Sequence, residues 1–174
     1  MLDPRVTRLA ELLTTHSTKL GKDDKVLIHA FDIPDEAVCE LVRVAQEKGA
    51  QTIVRLESNV VRRQLLKGMT EANAQTISTV ELAEMKEMTA YIALRGTHNY
   101  AEQADVPSET TQMWMKAYRG VLSHRVENTK WVVLRWPTPG MAQQASMSTP
   151  AFEHFFFDVC TVDYNKMAEA CKPL

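Results

Sequence analysis

The side chains able to do chemistry in this sequence are scattered, not grouped. The five histidines (His16, His29, His98, His124 and His154) include no pair within four residues of each other. The HExxH spacing that puts two ring nitrogens on one helix face is therefore absent. Cys39, Cys160 and Cys171 are odd in number and widely spaced, with no CxxC. That excludes a zinc ribbon, disfavours a disulfide framework and leaves three small thiols expected to be buried or half-buried. There is no GxSxG nucleophile elbow, no GxxxxGK[ST] phosphate cradle and no GxGxxG after the first apolar run. On chemistry alone the residues support no catalytic mechanism.

What remains is a polar set at the carboxyl ends of four apolar runs. It comprises Asp32, then Glu57 and Ser58, then Arg95, Thr97, His98 and Asn99, and finally Arg135, Trp136 and Thr138. Two arginines at such a rim could hold a carboxylate. The alternative is that Arg95 and Arg135 pair with Asp32 or Glu57 and only neutralise a crowded edge. His29, inside an apolar run, reads as a core histidine with its polar atoms satisfied.

The elements that must position this set follow from periodicity. "KVLIHAF" (25–31), "QTIVRLE" (51–57), "AYIALRG" (90–96) and "KWVVLRW" (130–136) are compact apolar runs that predict buried strands. Asp3-Pro4 opens a first helix through Leu20, with Gly21 as its stop. "DIPDEAVCELVRVAQEKGA" (32–50) predicts a second, entered through an acidic cap. "NVVRRQLLKGM" and "TVELAEMKEM" predict helices separated by polar residues, and "THNYAEQADVPSE" a loop. A long helix over 110–127 carries Met113, Met115, Ala117, Val121 and Leu122. "MAQQAS" and the aromatic "TPAFEHFFFDVCTV" follow, the latter wedged into a core, and Asp163 caps a further helix. Strands alternating with helices, each strand nearly all apolar, predict a mostly parallel sheet of about four or more strands with helices on both faces, a Rossmann-like three-layer α/β fold without a dinucleotide fingerprint. Asp32, Asp35 and Glu36 at the first strand–helix turn would repel a phosphate there.

The totals agree with one domain. The chain has 174 residues, 45% hydrophobic and 24% charged, with a net charge of −2. That balance lacks the basic footprint of a nucleic-acid binder. No apolar run is long enough to span a bilayer and no secretory signal opens the chain, so a cytoplasmic protein without membrane partners is expected. "RWPTPGMAQQASMS" (135–148) predicts a rigid corner at a strand's carboxyl end. Pro139 opens its short helix, and Trp136-Pro137 is a candidate for a cis bond.

Several segments together resemble the N-terminal domain of the thermophilic-type metallo-aminopeptidases, the aminopeptidase T, aminopeptidase S and PepS group. They are "LDPRVTRLAELLTTHS", "KVLIHA", "ALRGTHNYAEQADVP" and, most specifically, "WVVLRWPTPGMAQQASMSTPAFEHFFFDVCTVDYNKMA". Ser146 stands where that family often has Gly, and Thr149-Pro150-Ala151 replaces a commonly more acidic stretch. The resemblance implies an exopeptidase that removes N-terminal residues from peptides and works as a homodimer. It implies two divalent metals, zinc or cobalt among them, held by a C-terminal domain that also carries the catalytic residues. No catalytic or metal-binding residue is therefore expected here, and none is carried over. The expected division is an α/β N-terminal domain over 1–160, with 161–174 starting a linker toward a metal-binding half. Pro173, opening a helix just before the last residue, gives the chain the look of a truncation. Arg95, Asn99, Arg135, Trp136 and Pro137 are the expected cavity-wall or substrate-contact residues. The alternative function is a standalone α/β domain that binds peptides or small anions without catalysis.

Overall fold

The computed structural model describes residues 3–172; the helix start expected at Pro173 lies outside the described residues. Four strands, β1 Lys25–Phe31, β2 Gln51–Glu57, β3 Ala90–Arg95 and β4 Lys130–Arg135, form one parallel sheet in the order β2-β1-β3-β4. The helices are α1 Pro4–Leu12, α2 Asp35–Glu47, α3 Asn59–Lys67, α4 Glu71–Glu87, α5 Ser108–Asn128, α6 Pro139–Gln144, α7 Thr149–Cys160 and α8 Tyr164–Cys171.

Side chains alternate across the strands, so the central pair β1 and β3 supplies two cores. Val26, Ile28, Ala30, Ile92 and Leu94 pack on one face against α1, α2 and α7. Leu27, Tyr91 and Ala93 pack on the other against Met85 of α4 and Val121 of α5. Fully burying each of the large apolar side chains stabilises the fold by about 2 kcal/mol. From β1 the chain crosses over the first face to β2. It then returns over the second face to β3 and β4. The winding thus reverses between β1 and β3, and a crevice opens at their carboxyl ends, the usual ligand site of such sheets.

Several helix ends differ from expectation for local reasons. The first helix does not run to Gly21. After α1 the chain widens into a π-helical turn, Leu13–Ser17. There the buried Thr14 hydroxyl donates to the Ala10 carbonyl at 2.9 Å and the Thr18 hydroxyl to the Leu13 carbonyl at 2.8 Å. Lys19, at φ 46°, then reverses the chain. The polar stretch before Thr79 is helical because Thr70 caps it, accepting from the Asn73 amide at 3.2 Å. It buries only Ala74 and Ser78, so an apolar period is hard to see. On α5, Trp114 and Val121 are buried, whereas Met115 and Leu122 are exposed. Cys39 and Cys171 are also exposed, contrary to the buried or half-buried thiols expected, and Cys160 is half-buried. On α7 the expected wedge forms through Phe152, Phe156 and Phe157.

The 135–148 corner has a defined geometry. No described peptide bond is cis, so Trp136-Pro137 is trans. The Thr138 hydroxyl caps α6, accepting from the Met141 amide at 3.3 Å. At the far end, Met147 N–H donates to the Ala142 carbonyl at 2.9 Å and Ser146 N–H to the Gln143 carbonyl at 3.1 Å. That is the Schellman arrangement, and it places Ser146 at φ 54°. A side chain in the left-handed region costs about 1 kcal/mol. Ser146→Gly should therefore raise stability by about 1 kcal/mol. The urea midpoint should shift upward with an unchanged slope; a lower midpoint would contradict the assignment.

Candidate functional site

The carboxyl edge of the sheet carries one row of side chains. The register sets Glu57 beside Phe31, Phe31 beside Arg95 and Arg95 beside Arg135. In register on parallel strands, all four project from the same face. This row explains why the arginines do not pair with Asp32 or Glu57, one of the two alternatives open from the sequence. Phe31 lies between Glu57 and Arg95, leaving two strand spacings, roughly 9.5 Å, between their backbones. Asp32 turns aside at φ 46°. Its carboxylate accepts from the Asn59 amide at 3.2 Å and from Asn59 Nδ2 at 2.6 Å. Asn59 Nδ2 also donates to the Gly96 carbonyl at 3.1 Å, tying the start of α3 to β3. Among the described residues neither Arg95 nor Arg135 has an acidic partner in an ion pair.

Glu57 is committed elsewhere. His29 Nε2 bonds its Oε1 at 2.8 Å, and Arg62 of α3 pairs with its Oε2 at 3.3 Å. His29 Nδ1 meets the Tyr91 hydroxyl at 3.1 Å, so the buried histidine is satisfied at both nitrogens, as expected. Burial works to raise the Glu57 pKa. The His29 hydrogen bond and the nearby His29, Arg62 and Arg55 outweigh it and hold the carboxyl below its ordinary value. A carboxylate can only accept, so His29 Nε2 carries the proton.

Above this row lies a cleft of about 340 Å³, lined among others by Phe31, Arg62, Arg95, Gly96, Asn99, Tyr100 and Arg135. Phe31 orders two of its cations. The Arg95 guanidinium lies 4.6 Å from the ring centroid and that of Arg62 5.5 Å. Gly96 permits the narrow floor: a Cβ there would sit 2.5 Å from the Asp32 carbonyl oxygen.

The structure thus brings together Arg95, Asn99 and Arg135 of the expected set. It does not bring Trp136 or Pro137 to this cleft. Trp136 packs 6.5 Å and 6.2 Å from the Phe156 and Phe157 rings, and Pro137 is buried. Sequence reasoning missed Phe31, Arg62 and Tyr100. Arg62 could have been found as a cation in the helix that begins at the second strand's carboxyl end. A second groove, about 500 Å³, is mostly apolar, with Leu56, Val61, Leu65, Met69 and Trp114 in its walls.

No three His, Cys, Asp or Glu side chains converge among the described residues in a way that could hold a metal ion. These residues do not fit a two-metal centre. No helix of the described residues is long and apolar enough to cross a membrane.

The fold and cleft define a doubly wound, open parallel α/β domain with a polar crevice at its switch point, an architecture that serves many functions. The model of the thermophilic metalloprotease (M29) family matches residues 2–172, and the chain belongs to that family of metallopeptidases. A solved structure described as wild-type AmpT from Thermus thermophilus is similar in fold, with a TM-score of 0.70 at 19% identity. The match covers 91% of this chain and 43% of that one, so the chain spans less than half the length of that relative. No curated protein matches the sequence.

Proposed function

We propose that this chain is the N-terminal, non-catalytic portion of a metal-dependent aminopeptidase that removes N-terminal residues from peptides, and that it is inactive alone. The family match over residues 2–172 carries this reading. It is supported by the 43% share of the Thermus relative that the chain spans. The two divalent metals, zinc or cobalt, would bind in a C-terminal half, and the N-terminal domain would help to wall a peptide cavity in a cytoplasmic homodimer. In this reading α8 begins the linker over 161–174. Asp163 caps it, accepting from the Lys166 amide at 3.1 Å, and Tyr164 stacks on His16 with ring centroids 4.7 Å apart. Exposed apolar residues along β2 and α3, among them Leu56, Val60 and Val61, suit a surface covered in a larger assembly.

The test is direct. The chain, incubated with aminoacyl chromogenic substrates and zinc or cobalt, should release no chromophore. Clear metal-dependent turnover would refute the non-catalytic assignment.

A further inference from the structure

We propose that the cleft between the ends of β1 and β3 binds the C-terminal carboxylate of a short peptide, with Arg95 and Arg135 as the recognising groups. The proposal rests on the peptide-handling reading above and names which end of the substrate this domain would hold.

The two ends of the sheet treat their charges differently. At the amino end charges are matched: Asp24 pairs with Lys130 at 2.7 Å and Lys25 with Glu87 at 3.2 Å. At the carboxyl end Arg95 and Arg135 stand side by side in register, without an acidic partner among the described residues. Adjacent like charges repel, and an anion between them relieves that repulsion. The Arg95 guanidinium carbon lies over the Phe31 ring, 4.6 Å from its centroid, a contact that uses none of the guanidinium N–H groups as hydrogen-bond donors. These N–H groups have no hydrogen-bond or ion-pair partner among the described residues and can form a fork with a carboxylate. This is the strand-end crevice where sheets of this winding take ligands.

The cleft suits a carboxylate better than a phosphate. Phosphate sites draw on backbone N–H groups at a helix start. Here the first turn of α2 carries Asp35 and Glu36, and the Asn59 amide at the start of α3 is already taken by Asp32. Glu102, also in the lining, opposes a dianion more than a monoanion. Tyr100 and Phe31 offer apolar surface for the residue bearing the carboxylate. The volume of about 340 Å³ admits a group of that size.

The experiment is calorimetric titration of the chain with trialanine, with trialanine amide and with inorganic phosphate. Trialanine should bind and the amide at least tenfold more weakly, both peptides keeping the same ammonium end. Arg95→Ala and Arg135→Ala should each weaken trialanine binding at least tenfold, while Arg119→Ala on α5 leaves it unchanged. Arg135 is exposed at the sheet edge, so R135A should melt as the parent does and remains informative if R95A does not fold. Equal affinity for acid and amide, no binding of the acid, or indifference to R135A would overturn the proposal. Phosphate binding more tightly than trialanine through the same arginines would overturn it in favour of a phosphoanion. Release of free alanine from trialanine by this chain would count against the non-catalytic reading and not against this one.

Discussion

Gly96→Ala is expected to destabilise the domain by about 3 kcal/mol, the upper part of the range for forcing atoms into a packed site. The new Cβ would stand 2.5 Å from the Asp32 carbonyl oxygen, 3.1 Å from that of Phe31 and 3.2 Å from Ile33 Cδ1. Two of these are backbone atoms, so no side chain can swing aside. Nor is the backbone free to shift. Gly96 N–H donates to the Phe31 carbonyl at 2.8 Å, and Asp32 N–H to that of Glu57 at 3.1 Å. Asn59 clamps both Asp32 and the Gly96 carbonyl. A movement large enough to relieve the contact breaks the stitching between β1, β3 and α3 that forms the cleft floor. Gly68→Ala is the control, since a Cβ there meets nothing within 4 Å; it should change stability by less than about 0.5 kcal/mol. A loss below about 1 kcal/mol in G96A would show that the strand ends yield more readily than these contacts allow.

How much of this could be read in the sequence depends on the range of the interaction. The four strands were legible almost to the residue as compact apolar runs; β1 and β3 are covered on both faces, whereas β2 and β4, at the sheet's edges, are largely exposed and not buried as expected. The caps at Asp3 and Asp163 were legible because they are local. The first half of α4 was not, because a helix that buries only Ala74 and Ser78 there shows little period. At the site, the position of Arg95 and Arg135 was legible from strand ends alone. Their lack of acidic partners was not, because it depends on register: only the lateral order of strands puts Phe31 between Glu57 and Arg95. Trp136 was placed in the polar rim because it stands at the fourth strand's carboxyl end. Consecutive residues at a strand's end face opposite sides, and Trp136 takes the side covered by α7. Ser146, a small departure from the family's glycine, proved to be the one left-handed residue in the α6 exit.

Removing Glu57 is the second change with a large expected effect. Glu57→Ala would leave His29 Nε2 buried without its acceptor and Arg62 without its acid. It should cost about 3 kcal/mol at pH 7, within the usual penalty for orphaning a partner of a charged hydrogen bond. Glu57→Gln keeps an oxygen for His29 to donate to but removes the charge, and should cost about half as much. The pH dependence separates the two contributions. Because the folded pKa of Glu57 lies below its ordinary value, its ionised form favours the native state. That stabilisation is fully present above the unfolded value, about 4.3, and is lost as pH falls through the folded one. The stability gap between parent and E57Q should therefore persist down to about pH 5 and close progressively below about pH 4. The E57A gap should close only in part, since the neutral acid still fills its place beside His29 and alanine does not. Urea unfolding of the three proteins across this range gives the comparison. An E57Q gap that persists undiminished at low pH would mean that the carboxylate's charge contributes nothing, and that Glu57 serves the buried histidine only as a hydrogen-bond acceptor.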